Sequence, residues 1–283
     1  MKPNLAFVLT LIFSSSLALA SDKSIDVVYG DDNRVEAYQR PQLIKQSRAV
    51  AAMVSKKYLN LETYLGYQID VGSQELEYGL CSSERFAHQP ILAECSGFLV
   101  AKDVIMTAGH CVTNMNDCKG FSWVFGYEMD AQRGNPQELD RKNVYQCKQI
   151  ITRSLNNGID YAIIRLDRAT DREPVALAPK GQMAKVGTSL MMMGYPSGLP
   201  LKITDNAQIL KTEKHLLITN LDAFHVNSGS PVFDAKTNTV VGILVAGQED
   251  YKETTRGCNV VNVLDMKRGE EAVTSISVVP RNF

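Results

Sequence analysis

After its first 20 residues, this 283-residue chain has no run that could cross a bilayer as a helix, which takes about 20 apolar residues. It also lacks a surplus of charge. Its 30 Lys and Arg against 31 Asp and Glu leave a formal net charge of −1. That balance removes the electrostatic argument for nucleic acid or an anionic membrane as partner. No internal repeat recurs at a fixed period and no tract is of low complexity, so solenoids and disordered linkers are set aside. Histidine is scarce, with four scattered residues, and no two cysteines form a CxxC pair. The ligand spacing of a zinc site is therefore missing, and neither a metal nor a cofactor is expected.

The N-terminus carries more information. Lys2 precedes an apolar stretch, Leu5 to Leu19, interrupted by Ser14, Ser15 and Ser16, and Ala18-Leu19-Ala20 supplies a small-x-small cleavage site. Residues 1–20 are read as a signal peptide and 21–46 as an N-terminal segment or short propeptide, with the mature chain starting near Ser21. A secreted or periplasmic protein without a membrane anchor is expected. Six cysteines remain after that cut: Cys81, Cys95, Cys111, Cys118, Cys147 and Cys258. An even number in an exported chain favours disulfides. Six cysteines allow 15 pairings, and spacing does not choose among them.

Short apolar and β-branched runs dominate the rest: Ala49–Val54, Phe98–Val100, Val104–Thr107, Tyr161–Leu166, Leu190–Met193, Leu216–Thr219 and Val240–Val245. Turn residues separate them, as in Asn156-Asn157-Gly158 and Tyr195-Pro196-Ser197-Gly198. Many short strands without long amphipathic stretches predict an all-β sandwich or barrel. Thr170–Pro174 is polar and ends in proline, which suits a link between two halves.

Three segments carry chemistry. Cys95-Ser96-Gly97-Phe98-Leu99-Val100 is followed by Thr107-Ala108-Gly109-His110-Cys111. Asp160-Tyr161-Ala162-Ile163-Ile164-Arg165-Leu166 is the second, and Asn227-Ser228-Gly229-Ser230-Pro231-Val232-Phe233, with Val241-Gly242-Ile243-Leu244-Val245 behind it, is the third. A serine hydroxyl needs a base to become a nucleophile near neutral pH. The base in turn needs a carboxylate to fix its tautomer and stabilise the imidazolium. His, Asp and Ser follow in that order. With these motifs the chain resembles the trypsin-like (chymotrypsin-fold) serine peptidases, closest in wording to the bacterial branch that includes the glutamyl endopeptidases. The match runs from about Ser47 to Gly247.

The resemblance implies two packed six-stranded antiparallel β-barrels, 47–172 and 173–283, with the active site in the cleft between them. It implies a His110, Asp160, Ser228 triad and a disulfide between Cys95 and Cys111. Cys118–Cys147 and Cys81–Cys258 are the further pairings taken. The oxyanion hole falls to the N–H groups of Val226 and Ser228, and the specificity pocket to Asp222, Val245, Ala246 and Gly247. Asp222 has two readings, a pocket-floor carboxylate selecting basic residues or a loop-capping group. Leu244 stands where the glutamyl enzymes have a His, against acidic specificity, and Asn227 leaves no charge to pair with a new N-terminus. Val226 replaces a nearly obligatory Gly, which predicts a strained or partly collapsed hole. The expected function is serine endopeptidase activity on protein or peptide substrates. The alternative is a catalytically weakened protease fold acting as a binding module. Oligomeric state is left open.

Overall fold

The computed structural model describes residues 28–247 and 250–283. The signal peptide, the start near Ser21 and the first part of the 21–46 segment lie outside the described residues. Among the described residues no helix is long and apolar enough to cross a membrane.

Six strands build the first barrel: β1 (Val50–Ser55), β2 (Cys95–Ala101), β3 (Val104–Thr107), β4 (Phe121–Phe125), β5 (Val144–Asn156) and β6 (Ile159–Leu166). They close antiparallel in the order β6-β3-β2-β1-β4-β5, with β5 returning to β6. Closure removes the exposed edges that short apolar strands would otherwise present. Val50 to Val54 are all buried, so β1 reads as one continuous apolar run. Trp123 fills the interior beside Gly97, where a Cβ would strike its ring. The second barrel uses β7 (Ser189–Gly194), β8 (Lys202–Glu213), β9 (Leu216–Thr219), β10 (Pro231–Asp234), β11 (Thr239–Ala246) and β12 (Glu271–Ser275). Its order is β7-β10-β11-β12-β9-β8, closed by pairing of β7 with β8. Met191, Met192 and Met193 are core here.

Specific contacts lock the barrels together. Tyr195 donates its hydroxyl to Val50 O and its N–H to Ser96 Oγ. Asp160 N–H donates to Thr274 Oγ1 at 3.2 Å. Thr170–Pro174 is held as well: Thr170 N–H donates to Lys102 O at 2.7 Å, and the Arg172 guanidinium to Arg48 O and Asn143 Oδ1. The N-terminal segment lies on the second barrel. Val28–Tyr29 pairs in parallel with Val263–Leu264, and Val35–Glu36 pairs with the start of β8. Disulfides join Cys95 to Cys111, Cys118 to Cys147 and Cys81 to Cys258.

Candidate active site

Strand register brings His110 and Asp160 together. Thr107, the last residue of β3, lies opposite Ala162 of β6. The chain just past Thr107 therefore runs beside Asp160. Gly109 is required there, because a Cβ would collide with Ser154 O and Tyr161 O. One carboxylate oxygen, Oδ1, accepts the Gly109 and His110 N–H groups. That leaves Oδ2 aimed at the ring, 2.7 Å from His110 Nδ1. The Arg153 guanidinium donates to Gly109 O and steadies the same turn. With Nδ1–H committed to the carboxylate, Nε2 carries the lone pair.

Ser228 arrives from the second barrel, in the loop before β10. Pro231 of β10 lies opposite Ile243, and Gly229 N–H donates to Leu244 O at 2.7 Å. The loop thus runs alongside the end of β11. Ser96 of the first barrel clasps it: its N–H donates to Ser228 O at 2.8 Å and its hydroxyl to Val226 O at 3.3 Å. Gly229, at φ +90°, allows this closeness, since a Cβ would strike Ser96 O and Thr107 Oγ1. His110 and Ser228 line one cavity of about 250 Å³, with Val245, Ala246 and Gly247 also in its wall.

Val226 sits at φ +75°, in the region that favours glycine. A β-branched residue held there stores on the order of 1–3 kcal/mol. The peptide before it is nevertheless anchored: His225 C=O accepts the Ser197 N–H at 2.6 Å. In a trans peptide the N–H points opposite to the C=O, so the Val226 N–H is turned away from Ser197. Among the described residues neither the Val226 nor the Ser228 N–H donates to a protein acceptor.

Asp222 stands apart from the cavity lining. It is 1% exposed, and its two oxygens accept the N–H groups of Tyr29 and Asn33 at 2.8 and 3.2 Å. Of its two readings, the loop-capping geometry is the one the structure displays. Burial, partly offset by those two N–H donors, pushes its carboxyl up from 3.8 to about 7. An acid whose pKa is raised on folding stabilises the fold fully below its unfolded value. That contribution is lost as pH rises through the folded value. The window is therefore pH 4 to 7. Asn does not titrate, so the stability of wild type minus that of Asp222→Asn should fall as pH rises from 4 to 8. Urea unfolding at each pH checks this, and a constant difference would remove Asp222 as the titrating group.

Ala223, Phe224 and His225, which precede the nucleophile motif, also line the cavity. Glu271 lines the cavity, and Tyr29 donates its hydroxyl to Glu271 Oε1 at 3.3 Å. The available sequence signal was the acidic pair Glu270-Glu271 ahead of the apolar Ala272-Val273. Among the described residues, Cys95, His110 and Cys111 form a group of three potential metal ligands. Both sulfurs are spent in the Cys95–Cys111 disulfide, which leaves His110 as the only ligand of that group and does not suit a metal centre.

Over 177 residues the chain is 24% identical to an extracellular metalloprotease of Bacillus subtilis (strain 168), covering 59% of this chain. It spans 55% of that relative's length. A solved Glu endopeptidase in complex with MPD superposes with a TM-score of 0.51 at 16% identity, over 89% of this chain and 94% of the other. The VesB protease of Vibrio cholerae gives 0.51 at 13% identity, over 87% of this chain and 64% of the other. At these identities the structures speak for the fold alone. The trypsin-like peptidase domain model matches residues 95–243, which contain His110, Asp160 and Ser228. More than half of the chain is thus accounted for, and the protein belongs to the trypsin-like peptidase family.

Proposed function

We propose that this chain is an exported serine endopeptidase working through His110, Asp160 and Ser228. The observation that carries the reading is the Asp160-oriented imidazole of His110 in the same cavity as Ser228. In this mechanism Ser228 Oγ attacks the scissile carbonyl while its proton passes to His110 Nε2. The C–N bond then breaks, Nε2 protonates the leaving amine, and an acyl group remains on Ser228. Water repeats the sequence: its proton goes to Nε2 and its oxygen to the acyl carbon, the ester bond to Ser228 Oγ breaks, and the proton returns to that oxygen. Asp160 holds the tautomer and balances the imidazolium charge. Among the described residues Ser228 Oγ makes no hydrogen bond to the protein, and in this reading its bond to Nε2 forms when substrate binds. Three disulfides and the leader-like residues 1–20 support export.

The N–H groups of Val226 and Ser228 are the donors to the oxyanion in this reading. Because Ser197 already pins the His225 carbonyl, the orientation of the Val226 N–H is fixed before substrate arrives. Val226→Gly should accordingly change kcat by less than about 10-fold, even though losing one such donor costs about 10²–10³. Steady-state kinetics on one peptide checks this. A rise of 100-fold or more would mean that the valine keeps the hole closed and would favour the weakened binding-module reading.

The activity itself is tested by digesting unfolded casein. Serine-directed fluorophosphonate should stop digestion and EDTA should leave it running. Digestion stopped only by EDTA would move the chemistry to a metal, and no digestion at all would leave a binding module.

A further inference from the structure

We propose that Arg34, in the N-terminal segment, is a positioning residue for the nucleophile loop, backing Phe224 so that the strained turn through Val226 keeps its shape. The inference rests on the peptidase reading, with Ser228 as nucleophile and the Val226 N–H as a donor to the oxyanion.

Phe224 C=O accepts the Asn227 N–H at 2.9 Å, so Phe224 to Asn227 form one tight turn that leads into Ser228. Val226 lies inside that turn at φ +75°. A strained backbone of this kind persists only where its surroundings over-determine it. The middle of the turn is held at His225, whose N–H donates to the Asp250 carboxylate and whose C=O accepts the Ser197 N–H. The entry to the turn is held from the N-terminal segment. Asp222 accepts the Tyr29 and Asn33 N–H groups, and Arg34 covers Phe224.

Arg34 is wholly buried, which is costly for a cation unless its surroundings compensate it. Asp32 takes Nε and Nη2 as a fork, at 2.9 and 2.8 Å, and this fixes the plane of the guanidinium. Against the effect of burial, the bonds and charge of Arg34 hold the Asp32 carboxyl below its ordinary value, so the pair is ionised. Nη1 has no hydrogen-bond acceptor among the described residues. Aromatic rings compensate the charge there: the guanidinium carbon lies 3.9 Å from the centre of the Phe224 ring and 5.1 Å from that of Phe86.

Arg34 cannot swing away, because the segment around it is clamped. Arg85 donates to Asp32 O and to Arg34 O, and Glu36 pairs with the buried Lys202 at 3.0 Å. The rigid guanidinium is thus a backstop for Phe224, whose ring also lines the cavity beside Ser228. Without it Phe224 is free to retreat, the turn opens, and Val226 relaxes out of the positive-φ region with its N–H turned. Residues 28–36 accordingly stay with the active enzyme and are not shed as part of a propeptide.

The test is steady-state kinetics on one peptide for Arg34→Met, alone and combined with Val226→Gly, with fluorophosphonate labelling of wild type in parallel. Methionine keeps the length and removes the charge, and Asp32 retains its pairing with Arg85 at 3.3 Å. Arg34→Met should lower kcat about 100-fold, the lower end of the cost of one oxyanion donor, with KM changed less than about 5-fold. Adding Val226→Gly should return kcat to within about 10-fold of wild type, since glycine takes positive φ without strain and needs no backing. If Arg34 served stability alone, the added glycine would recover nothing. Wild-type kcat in Arg34→Met, or a loss that Val226→Gly does not recover, would overturn the role of Arg34, and labelling of wild-type Ser228 would leave the peptidase reading standing. A wild type that is neither labelled nor active would overturn both. If Arg34→Met does not fold, Arg34→Lys decides the question: it keeps a cation but loses the fork on Asp32, and should show a smaller fall in kcat with the same recovery.

Discussion

Ser228→Ala should lower turnover of a peptide substrate by a factor on the order of 10⁶, and His110→Ala by a similar factor. The two groups act as a unit. Without Oγ there is no atom to acylate, and without the imidazole the hydroxyl keeps its proton. The double variant should therefore be no slower than either single one. What survives, about 10³–10⁴ over the uncatalysed reaction, comes from the oxyanion donors and substrate binding. Among the described residues the Ser228 hydroxyl makes no bond within the protein. The alanine variant should thus keep its melting temperature. Steady-state kinetics and thermal melts on the same preparations check both halves. Wild-type turnover by Ser228→Ala would reject the triad.

Asp160→Asn should cost roughly 10⁴ in turnover. Oδ1 is committed to the Gly109 and His110 N–H groups, and those backbone donors would keep the amide oxygen of an asparagine on the same side. The new NH₂ then takes the place of Oδ2, 2.7 Å from His110 Nδ1. Two donors cannot face each other, so Nδ1 gives up its proton and Nε2 takes one. The imidazole would then offer Ser228 an N–H instead of a lone pair. Turnover should recover partially as pH rises, because hydroxide substitutes for the missing base. Rate measurements from pH 6 to 10 would reveal this. A drop of less than 10-fold would mean that Asp160 does not set the tautomer.

Parts of the account readable in the chain are those written in neighbouring residues. The turns around His110, Asp160 and Ser228 are short segments whose small residues, Gly109 and Gly229, are dictated by backbone approaching within a Cβ's reach. The apolar runs at β1, β3, β6 and β11 stand out because these strands face the core along most of their length. The 13-residue β5 does not, since from Gln146 onward it is partly or fully exposed and rich in Gln, Lys, Thr and Arg. The direction of the Asp222 carboxylate was out of reach for a different reason. It is set by Tyr29, 193 positions away in sequence. Glu271 reaches the cavity only through the pairing of β12 with β11, which no local pattern encodes. At Val226 the sequence signals a cost, and the structure adds the compensating contact, the Ser197 N–H on the His225 carbonyl.

The central claim, an activated nucleophile at Ser228, is tested most directly by fluorophosphonate labelling followed by peptide mapping. The account predicts one adduct per chain, located on Ser228, absent in Ser228→Ala and strongly slowed in His110→Ala. An adduct on another residue, or labelling of Ser228→Ala at the wild-type rate, would contradict it.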